Sequence, residues 1–388
     1  MQKIRFFNGE NPFPALYYLE YDSETGEPGF PAERGNKDLH MAKVYFIPAA
    51  MSDGTAAVAA RARRLLEHLL DAESVELASE IPLKTHFGEH GNHSFIPAAA
   101  YDGIIDFLLE RKIKGHFMET SVLYGGKRYE RASHTRLALD HGFTRLPVVM
   151  ADGAAGEDAV PVPVGLHHFA RCHLGRLLAE AEQVLVLAHF KGHALAGFGG
   201  AVKQLGMGFA AKGGKLAMHM GVKPRIRSRR CRRCGLCVRR CRENAITLQP
   251  KPRIDHAKCV GCGGCFAACQ NKAVSILSLR GLKTMLFGRR IFREKLVEYA
   301  YAGHRGKRNI YLNFALNITR GCDCEPLPMR GVIPDIGIFA SLDPVALDAA
   351  CLAECARRGK RFKGGEQLHY AEKIGMGSTA YELVALDV

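Results

Sequence analysis

From Met41 onward, apolar and polar residues follow two alternating periods. Lys43–Pro48 reads as a strand, and Ala57–Leu70 (AVAARARRLLEHLL) places its apolar residues at helical spacing. Glu76–Leu83 then predicts a strand, Ile96–Arg111 a helix, and His116–Thr120 a strand. Helix Ser133–His141, strand Leu146–Ala151, helix Leu174–Ala181 and strand Gln183–Leu187 follow. After an interruption the pattern resumes with helix Ile291–Tyr301, strands Asn309–Phe314 and Ile336–Ala340, and helix Pro344–Arg357. Asp343 is placed to cap that last helix, with Pro344 in its first turn. Strands alternating with helices predict an α/β domain with a mostly parallel sheet and flanking helices.

The interruption, residues 222–279, carries a repeat. Cys231-x2-Cys234-x2-Cys237-x3-Cys241 recurs 28 residues later as Cys259-x2-Cys262-x2-Cys265-x3-Cys269. Three thiolates within seven residues let a tight loop close over one [4Fe–4S] cube, and the fourth ligates the cube of the other repeat. Cluster one then uses Cys231, Cys234, Cys237 and Cys269; cluster two uses Cys259, Cys262, Cys265 and Cys241. Zinc is the bland alternative, but zinc sites pair two separated C-x-x-C knuckles, which this spacing suits poorly. Each run leads into a short apolar segment, Ala245-Ile-Thr-Leu or Ala273-Val-Ser-Ile. The expected organisation is an extension at residues 1–40, α/β core at 41–221 and 280–388, and an inserted α+β ferredoxin-like module at 222–279. The extension is rich in Pro, Gly and charge and is expected to be poorly ordered, with MAKVYFIPAA from Met41 resembling a chain start.

Charge follows the same division. The 388 residues carry a net +15, yet segment 221–278 alone holds +12 and segment 279–310 another +7, leaving −4 for the rest. KPRIRSRRCRRCGLCVRRCR, around the first run, has ten Lys or Arg in twenty residues. Such a face suits an acidic redox partner, a nucleic-acid footprint, or simple solvation. It also tunes a cluster: a unit charge about 10 Å away is worth roughly 1.7 kcal/mol at an effective dielectric of about 20. Thirteen Cys, eight in cluster spacing, suit a reducing compartment and hence the cytoplasm. No apolar run reaches the roughly 18 residues of a membrane span, and the N-terminus lacks a secretory core.

Three segments outside the repeat carry further chemistry. Lys84-Thr-His86-Phe-Gly-Glu89-His90 follows a predicted strand, where open α/β sheets bind ligands. His86-x-x-Glu89-His90 also matches an inverted zinc-peptidase signature, but Gly88 and Gly91 argue against the helix it needs. Lys191-Gly-His193 opens a stretch with six glycines from Gly192 to Gly208, including Lys203. A glycine-rich turn opening a helix is expected to offer free N–H groups to an anion. Cys322-Asp-Cys324 suits a redox pair or a further metal, whereas Cys172, Cys351 and Cys355 read as buried apolar side chains.

On KTHFGEHGN, KGHALAGFGGAVKQLGMG, NFALNITRGCDCEP and DIGIFASLDPVALDAAC, the chain resembles the iron–sulfur centre proteins of domain-of-unknown-function family 362, over roughly residues 42–386. The resemblance implies an α/β core with a two-cluster insert and a redox role of unassigned reaction. By motif position it implies that Lys84, His86, Glu89, Lys191, His193, Lys203, Cys322, Cys324 and Asp343 are recurrent polar positions. Arg242 and Gln270 stand where ferredoxin runs commonly place Pro.

The resulting expectation is an oxidoreductase that passes electrons from an acidic partner, through two [4Fe–4S] clusters, to an anionic substrate. Its candidate catalytic residues are Lys84, His86, Glu89, Lys191, His193, Lys203, Cys322 and Cys324. No flavin or NAD motif is evident. The alternatives are an electron-transfer or assembly subunit without a substrate, and a nucleic-acid-binding iron–sulfur protein.

Overall fold

The computed structural model describes residues 41–387 except 221–223, 242–243, 257, 260–264, 266–267 and 276–287. It also describes three two-residue strands, Lys3–Ile4, Glu20–Tyr21 and Pro28–Gly29. The remainder of 1–40, for which poor order was expected, lies outside the described residues.

Eight strands build the main sheet: β1 (Ala42–Pro48), β2 (Glu80–Lys84), β3 (Lys114–Glu119), β4 (Val148–Met150), β5 (Leu185–His189), β6 (Ile310–Ala315), β7 (Gly337–Ser341) and β8 (Tyr381–Ala385). Their spatial order is β8-β1-β7-β6-β5-β2-β3-β4, with Lys3–Ile4 antiparallel outside β8. Neighbours among the eight run parallel except around β7, which is antiparallel to both β1 and β6. β5 (LVLAH) and β6 (IYLNFA) are buried along their whole length. A strand covered on both faces needs such a near-continuous apolar run.

Alternate residues of one strand feed two separate cores. Leu185 and Leu187 join Leu65, Ile104, Phe107 and Leu312 under helices Thr55–Ala72 and Asp102–Glu110. Val186 joins Leu205, Leu296, Val297 and Val345 on the other face, under helices Ala201–Phe209, Arg289–His304 and Pro344–Arg357. The period of two along a strand thus becomes a three-layer α/β domain. Asp343 caps the Pro344–Arg357 helix, accepting the N–H groups of Val345 and Ala346 at 2.7 and 3.0 Å.

Several segments differ from the sequence expectation. Leu174 and Gly175 end a strand, Arg171–Gly175, that pairs with Ala159–Pro163, so the expected helix is confined to Arg176–Glu180. Burial of Cys172 and Leu174 against the second core outweighs their helical spacing. Pro97 delays the helix expected from Ile96: a 3-10 turn, Ala98–Tyr101, precedes Asp102–Glu110. Part of the glycine-rich stretch is a hairpin, Lys191–His193 with Gly197–Gly199.

Chain order fixes where a ligand would sit. From β2 the chain steps outward through β3 and β4, then returns to place β5 on the opposite side of β2. The order reverses between β2 and β5, so their C-terminal ends flank a crevice of the kind in which open α/β sheets bind ligands.

Candidate functional site

Loops leaving the C-terminal ends of β2, β3, β5 and β6 meet over that reversal. Lys84 ends β2 and Glu119 ends β3; their charged atoms lie 2.7 Å apart and both side chains are buried. Arg128, from the loop after β3, binds the other Glu119 oxygen at 2.8 Å, and its Nε donates to His134. Burial alone would raise the Glu119 carboxyl, but Lys84 and Arg128 outweigh it and hold the group below the usual carboxylate range. Lys84 passes directly over Gly208, where an added Cβ would stand 2.8 Å from its Nζ. Only glycine leaves that room.

β5 ends on His189, whose Nδ1 is 2.9 Å from Asp323 and whose Nε2 faces the Leu316 carbonyl at 2.8 Å. Lys191 Nζ holds the other Asp323 oxygen at 2.8 Å. Here too burial would raise the carboxyl, yet His189 and Lys191 keep it below its ordinary value. The Asp323 carbonyl accepts the Glu89 N–H at 2.9 Å, and the Glu89 side chain accepts the Tyr124 hydroxyl at 2.8 Å. Cys322-Asp323-Cys324 is therefore pinned from two sides.

On this pinned loop the sulfurs of Cys322 and Cys324 and a ring nitrogen of His193 lie within 4.8 Å of one another. Lys203 Nζ stands 3.6 Å from Cys322 Sγ. Cys322 is buried and Cys324 half-buried. The neighbouring Cys324 thiol, with Lys203 and His193, draws the Cys322 thiol well below its ordinary range despite burial. Cys324 moves the other way, raised by Cys322 and by burial. His193 Nδ1 accepts the N–H groups of Leu195 and Ala196. His86 accepts the Gly88 N–H, and burial together with Arg128 keeps its imidazole neutral well below the usual range.

Lys84, His86, Glu89, Lys191, His193, Lys203, Cys322 and Cys324 thus gather in one polar centre. Sequence reasoning passed over Glu119, Tyr124 and Arg128, and noted His189 beside Lys191 and His193 without making it a candidate. Glu119 and His189 are the last residues of parallel strands, and that position was the available signal. Asp343 serves as a helix cap, also accepting the Ser378 N–H.

Two expectations are corrected. The N–H groups opening the Ala201–Phe209 helix are not left for a ligand anion: Ala201 and Val202 donate to Asp348 at 2.7 and 3.0 Å. Gly200 permits the approach, since a Cβ there would lie 2.2 Å from the Asp348 carboxylate. Lys84 and Lys191 are likewise already held, by Glu119 and Asp323. As Gly88 and Gly91 implied, the His86–His90 segment is a loop and lacks the helix that a peptidase signature needs.

The cysteine module has its own internal order. The strand ahead of each Cys run pairs with the strand behind the other: Arg225–Ile226 with Val274–Ser275, and Arg253–Ile254 with Ile246–Thr247. This crossing carries Cys269 to the first run, where one cavity is lined by Cys231, Cys234, Cys237 and Cys269 among Ile226, Leu248 and Val274. Equivalent backbone groups point at equivalent sulfurs: Ala245 N–H at Cys241 (3.3 Å) and Ala273 N–H at Cys269 (3.2 Å). Cys241 packs on the small core that contains Cys265. Cys262 lies outside the described residues. Arg229, Arg230, Arg232, Arg233, Arg239 and Arg240 are exposed around the first run.

Fold and site together define a three-layer α/β protein with a buried thiol, imidazole and lysine centre at its sheet reversal and a cysteine-rich segment. The chain belongs to the family described as domain of unknown function (DUF362), whose model matches residues 81–353. None of the curated proteins matches it. It is similar to a Thermotoga maritima protein of known crystal structure, at 12% identity and a TM-score of 0.39, over 80% of this chain and 60% of that one. It is also similar to the lactate racemase apoprotein from Thermoanaerobacterium thermosaccharolyticum, at 14% identity and a TM-score of 0.31, over 60% of this chain and 48% of that one. The chain therefore spans less than two thirds of the length of either. Among the described residues, no helix is long and apolar enough to cross a membrane.

Proposed function

We propose that the protein is an iron–sulfur oxidoreductase, with two [4Fe–4S] clusters in the cysteine module and a reaction centre at the sheet reversal. The carrying observation is the cavity ringed by Cys231, Cys234, Cys237 and Cys269, because it joins a fourth cysteine to a trio from the other repeat. Four thiol groups with apolar side chains between them, and backbone N–H groups aimed at the sulfurs, fit an iron–sulfur cube. Cys241, Cys259, Cys262 and Cys265 are the corresponding set for the second. Bound there, the clusters would supply one-electron storage and transfer.

The exposed arginines around the first run suit docking of an acidic electron-transfer partner. In the α/β centre, Lys203 faces the Cys322 sulfur rather than a carboxylate, and an anionic substrate would reach it in exchange for that sulfur. Convergence of eight polar residues at one crevice favours a reaction centre over a bare carrier.

Purification without oxygen tests the reading. About eight iron and eight sulfide per chain are expected, and Cys269→Ser should lose about four of each, whereas Cys172→Ser should lose none. A colourless, iron-free anaerobic preparation ends the proposal.

A further inference from the structure

The centre at the sheet reversal holds two sulfurs in unequal surroundings. Cys322 is buried, with Lys203 at 3.6 Å and His193 beside it; Cys324 is half-buried and has no hydrogen bond to Lys203 among the described residues. We propose that Cys322 and Cys324 are a redox-active pair cycling between dithiol and disulfide with a thiol-bearing partner. Cys324 is the sulfur that is attacked, and Cys322 is the thiolate that leaves. The inference concerns the reaction centre of the oxidoreductase above, but needs no cluster.

Three observations carry it. The sulfurs lie within 4.8 Å of each other on a loop that Asp323 anchors to His189 and Lys191, so little rearrangement separates them from a bond. Their access differs in the direction that exchange requires, because the better leaving group is the one best stabilised as thiolate. Third, His193 is a poor metal ligand here. Its Nδ1 accepts two backbone N–H groups, so in the neutral ring the proton sits on Nε2 and no nitrogen lone pair remains for a metal.

The step balances without an external oxidant. A partner dithiol, as thiolate, attacks Cys324; the Cys322–Cys324 bond breaks and Cys322 leaves as thiolate. The partner's second thiol attacks its own sulfur in the mixed disulfide. Cys324 leaves and takes that thiol's proton, and the partner departs as a disulfide. Two electrons have moved from partner to protein. The reverse sequence oxidises the pair.

The test uses the full chain, prepared without oxygen and equilibrated in glutathione buffers of graded redox ratio. After acid quenching, alkylation and digestion, the mass of the Cys322–Cys324 peptide is read. The peptide should be doubly alkylated in reducing buffer, unalkylated and two hydrogens lighter in oxidising buffer, and reversible between them. Lys203→Met should raise the equilibrium constant for the disulfide about tenfold, about 30 mV for a two-electron couple, and Lys203→Arg should restore it. A peptide that stays doubly alkylated in the most oxidising buffer overturns the proposal. So does one zinc, nickel or copper per chain that Cys324→Ser removes. The iron count is read separately, so cluster loss and failure of this pair remain distinct.

Discussion

Asn313, midway along β6, donates to Asp348 on the Pro344–Arg357 helix at 2.7 Å, with both side chains buried. The same carboxylate accepts the first N–H groups of the Ala201–Phe209 helix, so one residue ties a strand to two helices beside the reaction centre. Asp348→Ala would strand three donors in the core. At about 1–3 kcal/mol for a buried group left unpaired, a loss of about 3 kcal/mol or more is expected in urea unfolding.

The same residue predicts a pH dependence. Burial pushes the Asp348 carboxyl up to about 6, although its three hydrogen bonds oppose the rise. Its folded value lies above the unfolded one, so its contribution is fully present below about pH 4 and lost as pH rises through about 6. Wild-type stability should decline over that interval, and Asp348→Asn should remove this part of the decline. Equal slopes in the two proteins would refute the assignment.

Glu119 works in the opposite sense. Lys84 and Arg128 hold its carboxyl below the usual range against the effect of burial, so its contribution is present above about pH 4 and lost on acidification. Glu119→Gln should cost about 3–5 kcal/mol at pH 7, the usual penalty for removing one partner of a buried ion pair. The gap between variant and wild type should narrow toward pH 3, as measured by thermal unfolding.

Reversing charge at Arg229 and Arg230, both exposed beside the first Cys run and outside the cavity lining, should leave the iron content unchanged. Reduction by an acidic electron-transfer protein should slow about tenfold at low salt and lose most of its salt dependence. Unchanged stopped-flow rates would separate the arginine face from partner docking.

Much of this was readable before the structure, and the limits are physical. Lys84, His86, Lys191 and His193 were found because each follows a predicted strand, and parallel strands deliver their ends to one edge. Glu119 lay inside the expected strand His116–Thr120, and His189 stood just past the expected strand Gln183–Leu187, so neither was read as a strand end. Arg128 and Tyr124 come from a loop of no regular period. Asp348 was invisible as a cap because its targets lie about 146 residues away, and only tertiary structure brings them together. Cys269 was assigned to the first run because repeat spacing is a local signal. The hairpin Arg171–Gly175 was not foreseen, since its partner strand lacks a strong apolar pattern.

β1, the first strand of the domain, is flanked by β7 and β8, the last two to be synthesised. Until Gly337–Ser341 is delivered both edges of Ala42–Pro48 stand bare, and until Tyr381–Ala385 follows one edge still does, ready to pair with any neighbouring chain. A chain broken anywhere before Tyr381 yields a sticky fragment, which makes that late strand a checkpoint for the sheet.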